Sequence, residues 1–82
     1  MTSTREVQAL VNRINPLLRG QGPELQGGAL ADLVAMFFAG HHPALRHEAI
    51  ELWLATMRDL IPVNEQAIFQ HFGGKPEGWE TQ

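Results

Sequence analysis

The stretch whose residue types and spacing point most directly to chemistry is His47-Glu48-Ala49-Ile50-Glu51, with His41 and His42 a few residues upstream. Residues four apart on a helix lie one above the other, so the His47 imidazole and the Glu51 carboxylate can converge on one ion. His41 and His42 precede the same helical segment and are the natural third ligands, giving the nitrogen and oxygen donors that zinc accepts. A paired zinc helix of the H-E-x-x-H kind carries a second imidazole where this chain has Glu51. The His-Glu-x-x-Glu order also arises on ordinary charged helix faces. The plainer reading is therefore preferred, with His47 and Glu51 facing water, His42 capping the helix and His41 filling the turn. A metal site built from His41, His42, His47 and Glu51 stands as the alternative. The preferred reading needs no cofactor.

Other chemistry finds less support. Glu48 and Glu51 form a carboxylate pair, but an acid/base pair needs a cleft that drives the two pKa values apart, and a short helical chain has little room for one. Ser3 is the only serine, it lies near the terminus, and there is no cysteine, so nucleophilic triads lack their parts. The glycines at 20, 22, 27 and 28 follow a helix and have no Lys-Ser/Thr pair beside them, unlike the strand-borne loops that cradle phosphate. The basic residues Arg5, Arg13, Arg19, Arg46, Arg58 and Lys75 are scattered singly in a chain of net charge −3. That distribution does not make the clustered positive patch on which nucleic-acid binding draws. No enzymatic activity and no nucleic-acid partner are expected.

The elements that must position these residues read as helices. Ala29 to Ala39 is apolar on nearly every side, with Asp32 its only charge, and Gly40 stops it. A helix apolar all round is buried or spans a membrane. A span takes about 20 residues, so this shorter run is expected to be the buried core helix, and no membrane partner is expected. Asp32 must then reach the surface or meet a cation such as Arg13, Arg19 or Arg58. Upstream, Ser3-Thr4-Arg5-Glu6 fits a capping box. Val7, Leu10, Val11, Ile14, Leu17 and Leu18 follow at spacings of three and four, predicting an amphipathic helix that Pro16 kinks or ends. Gly22-Pro23 opens the next helix, and Gly27-Gly28 marks a kink, a break or a point of close packing.

Downstream, Pro43 to Leu60 or Ile61 forms a third helix whose apolar arc covers roughly 200°, wider than one neighbour requires. Pro62 ends it. Asn64 then caps a short fourth helix, with Val63 and Ile68 as a hydrophobic staple. Gly73-Gly74 closes that helix, and an irregular tail carrying Trp79 follows. No segment alternates with period two.

The expected fold is all-α: one domain over residues 1–82, a small bundle with helices at about 4–18, 24–39, 43–61 and 65–72 and a tail over 73–82. Short turns between helices favour antiparallel neighbours. An apolar fraction of 44% and a charged fraction of 18% suit a globular chain. The absence of cysteine and of an apolar leader after Met1 points to the cytoplasm. The second and third helices carry more apolar surface than one small core can hide. The functional expectation is a non-enzymatic protein–protein interaction module, a homodimeric adaptor, small regulator or assembly factor. Phe37, Phe38, Trp53, Leu54, Met57 and Trp79 are its expected interface.

Overall fold

The computed structural model describes residues 2–79 and contains three helices and no strand among them: α1 (Thr4–Leu18), α2 (Pro23–Ala39) and α3 (Pro43–His71). The all-α class is as the periodicity predicts. The chain divides into two compact units, Met1–Ala39 and Gly40–Gln82.

In the first unit α1 starts on the predicted cap. The Ser3 hydroxyl accepts from the Glu6 amide at 3.1 Å, meeting one of the N–H groups that a helix start leaves without a partner. The Ser3 hydroxyl in turn donates to the Glu6 carboxylate at 3.2 Å. Pro16 lies inside the helix. It offers no N–H to the Asn12 carbonyl, but α1 keeps its path for two further residues. The Arg19 amide then donates to the Asn15 carbonyl at 3.0 Å, and Gly20 turns the chain at φ 86°, a value that suits a residue without Cβ. The Gln26 side chain secures the connection: its amide nitrogen donates to the carbonyls of Leu18 at 2.8 Å and Gln21 at 2.9 Å. Helix α2 runs through Gly27-Gly28 without a break, and a Cβ built at either glycine would meet nothing within 4 Å. The pair is therefore not a point of close packing among the described residues.

The expectation that α2 is a buried core helix is corrected. Phe38 is its only buried residue, at 6% exposure, while Leu33 and Met36 remain 52% and 64% exposed. The apolar stripe of α1 is uncovered as well, with Val7, Leu10, Val11, Ile14 and Leu17 all exposed. The physical reason is the want of a covering surface: a helix closes its own backbone hydrogen bonds but cannot shelter its own side chains. Asp32 needs no buried partner, because it is exposed.

The second unit holds the larger correction. A third helix ending before Pro62 and a separate fourth helix over 65–72 are expected; α3 instead runs unbroken from Pro43 to His71 with Pro62 inside it. The difference turns on Asn64. An amide side chain both accepts and donates. Here the Asn64 nitrogen donates back to the Leu60 carbonyl at 2.9 Å, so the residue supports the helix it was expected to restart. Val63 and Ile68 are five residues apart on one continuous helix and so lie on different sides of it, which leaves no staple.

The N-terminus of α3 is capped by His42, whose Nδ1 accepts from the Ala44 amide at 3.1 Å. Its C-terminus closes as a Schellman motif. The Gly73 amide donates to the Gln70 carbonyl at 3.4 Å, the Gly74 amide donates to the Phe69 carbonyl at 2.6 Å, and Gly73 sits at φ 88°. The expected irregular tail is present as turns as far as Trp79; positions 80–82 lie outside the described residues.

An interior proline costs a helix about 3 kcal/mol relative to alanine. Pro62→Ala is therefore expected to raise the helical signal in far-UV circular dichroism. It should also move the denaturation midpoint upward, by an amount equivalent to as much as about 3 kcal/mol. A lowered midpoint would show that the proline is itself required.

Candidate interaction groove

Read along α3, the residues Trp53, Thr56, Met57, Leu60, Ile61, Asn64, Glu65, Ile68 and Phe69 recur at steps of three and four. That spacing makes an apolar stripe that winds slowly round the helix over four turns, and it passes Pro62 without interruption. Together with Trp79 they line a groove of about 710 Å³, within the range of roughly 300–1,000 Å³ found for binding pockets. Trp53, Met57, Glu65 and Phe69 are half-buried; Leu60, Ile61, Ile68 and Trp79 are exposed.

Glycine geometry brings Trp79 to this face. The Schellman turn reverses the chain after α3. Gly78, at φ 82°, is then the third residue of a turn closed by the Trp79 amide donating to the Pro76 carbonyl at 3.2 Å, the position that needs positive φ in a type II turn. The indole consequently meets the Phe69 ring edge to face, with centroids 5.6 Å apart and planes at 84°. This is a favourable aromatic arrangement, and it gives the groove an end wall.

The polar residues of the lining hardly alter its character. The Thr56 hydroxyl donates to the Leu52 carbonyl at 3.0 Å, and the Asn64 amide nitrogen donates to Leu60 as described. Both donors are directed into the helix rather than into the groove. Glu65 brings the one formal charge of the lining. No buried side-chain nitrogen or oxygen among the described residues lacks a hydrogen-bond partner. The groove thus offers hydrocarbon and aromatic surface rather than a set of oriented reactive groups.

The expected interface residues separate by unit. Trp53, Met57 and Trp79 line the groove, while Leu54 is half-buried on α3 and outside the lining. In the first unit Phe37 is 56% exposed and Phe38 is buried. Their rings pack edge to face at 5.0 Å, so Phe38 supports Phe37 from beneath. Leu60, Ile61, Ile68 and Phe69 are groove residues that the sequence reading did not place at the interface. The unbroken three-and-four spacing across Pro62 is the signal that locates them.

The histidines are engaged differently. His42 uses Nδ1 as a helix cap, the His41 carbonyl accepts from Arg46 Nη2 at 3.0 Å, and His47 and Glu51 are exposed. Among the described residues no group of three or more His, Asp or Glu is placed to hold a metal ion. No helix among them is long and apolar enough to cross a membrane. No protein-family model, curated protein or solved structure matches the chain, so its function is argued from the groove and the exposed helix faces.

Two outcomes follow from this geometry. Gly78→Ala forces a side chain onto a left-handed backbone. It is expected to detach Trp79 from Phe69 and shift part of the tryptophan emission to longer wavelength, with a loss of about 0.5–1.5 kcal/mol for the ring pair. Added zinc is expected to leave the melting temperature unchanged, because only a ligand that prefers the folded state raises it. A zinc-dependent rise would restore the site of His41, His42, His47 and Glu51.

Proposed function

We propose that this protein is a non-enzymatic interaction module that acts as a homodimer, in the manner of an adaptor, small regulator or assembly factor. The observation that carries the reading is the contrast, among the described residues, between one buried apolar side chain, Phe38, and the exposed apolar faces of all three helices. Monomeric proteins leave scattered apolar residues on their surfaces, but contiguous apolar faces mark contact sites. In the second unit these residues are contiguous along α3, they line a groove, and the neighbouring polar donors are turned inward.

Size points the same way. Folding units of about 40 residues rarely supply enough core on their own and are commonly completed by disulfides, metals or association. The chain has no cysteine, which removes the first of these and favours the third. Full burial of a large apolar side chain is worth about 1.5–3 kcal/mol. Covering the half-exposed Leu60, Ile61, Ile68 and Trp79 would therefore contribute on the order of 1 kcal/mol each.

Sedimentation of the full chain at micromolar concentration is expected to show a dimer. Met57→Asp places a carboxylate in the groove wall and is expected to weaken association about thirty-fold or more, the loss typical of a central contact residue. A chain that stays monomeric up to its solubility limit would overturn the homodimer.

A further inference from the structure

Helix α1 has the form of a ligand for an apolar groove. Val7, Leu10, Val11 and Ile14 stand at i, i+3, i+4 and i+7, the anchor pattern by which an amphipathic helix beds into such a groove. All four are exposed, as is Leu17 one turn further on. The 15 residues of α1 make a rod about 22 Å long, and the lining residues from Trp53 to Phe69 span about 24 Å of rise along α3 as their stripe winds round it.

Charge selects α1 over α2. With its cap residue, α1 carries Arg5, Arg13 and Arg19 against Glu6, making it the basic helix of the chain. Helix α3 carries Glu48, Glu51, Asp59 and Glu65 against Arg46 and Arg58. Helix α2 is also apolar, but its charges are Glu24 and Asp32, so docking it on α3 would bring together two acidic elements. Arg13 flanks the α1 stripe on the helical wheel, which suits it to meet Glu65, the charged residue of the groove lining.

From these matches, and resting on the homodimer reading, we infer that the groove of each copy receives helix α1 of the other. The exchange is reciprocal, so the contact is made twice about a two-fold axis and the assembly closes. A stable interface buries roughly 800 Å² per partner, and two equivalent contacts reduce what each must supply to roughly 400 Å². A helix about 22 Å long and 10 Å across presents about that area on the half it beds into a groove.

The two tryptophans of the chain both line the groove, so its filling can be read directly from their emission. In the full-length wild type, emission is expected to shift to shorter wavelength over the concentration range in which sedimentation shows dimer forming. Leu10→Asp lies on the exposed stripe. It is expected to weaken dimerisation about thirty-fold or more and to keep the long-wavelength emission, with helicity retained. Ile14→Lys serves as a second variant should Leu10→Asp lose helicity. Gln8→Asp, on the polar side of α1, is expected to behave as wild type.

Mixing Leu10→Asp chains with Met57→Asp chains leaves one intact stripe facing one intact groove. The mixture is expected to associate where neither variant does alone. A Leu10→Asp chain that dimerises as tightly as wild type would overturn the exchange and leave the homodimer standing. A wild type that stays monomeric would remove both. If that monomer shows concentration-independent short-wavelength emission, lost in Leu10→Asp, then α1 fills the groove of its own chain and the second copy is excluded.

Discussion

Apolar side-chain area lowers the free energy of a fold only where another surface excludes water from it, and in this protein that requirement governs everything downstream of the helices. The backbone is satisfied largely within the helices: Ser3 caps the start of α1, His42 caps the start of α3, and the Gly73-Gly74 turn closes its end. The side chains are not. Phe38 is buried, while the stripe of α1, most of α2 and the groove face of α3 remain open to solvent. A chain arranged in this way has well-determined elements, while most of their apolar area stays outside the largest stabilising term, burial.

Local devices explain why the open faces are nevertheless regular. Gln26 holds the turn between α1 and α2 with two hydrogen bonds from one amide nitrogen, which fixes where the apolar register of α2 begins. In α3, Thr56 and Asn64 bond to carbonyls four residues back. These bonds lie on either side of the position where Pro62 withholds an N–H and keep both donors against their own helix. Continuity through the proline keeps the winding stripe from Trp53 to Phe69 unbroken; a break at Pro62 would let its second half rotate away from the first.

Local chemistry was legible in the sequence, and competition between local signals was not. The Ser3 cap, the start of α3 after His41-His42 and the stop at Gly73-Gly74 each depend on a few neighbouring residues, and each was readable from them. Pro62 and Asn64 form an equally strong local signal for a helix end, but the apolar spacing that passes through them outweighs it. Asn64 can serve as a cap or as a back-bonding donor, and residue type alone does not choose between the two. The same holds for the site. Trp53 and Met57 follow from the helical stripe. The approach of Trp79 to Phe69 depends on two successive turns with positive φ at Gly73, Gly74 and Gly78, and spacing along a helix does not describe that geometry. The expectation for α2 failed for a different reason. An apolar helix is recognisable in sequence, whereas the surface that covers it is a property of whatever lies against it.

The character of the groove narrows what can cover it. A small polar substrate needs donors and acceptors aimed at it, and here the Thr56 and Asn64 donors turn back into the helix. A membrane interface favours basic residues around an apolar face, whereas α3 carries four carboxylates against two arginines. An apolar helix of opposite charge meets both conditions at once. It covers a groove whose Thr56 and Asn64 donors already bond to the helix, and it brings arginine toward the carboxylates of α3. In the exposed stripe of α1, with Arg13 at its edge, the chain itself encodes such a helix.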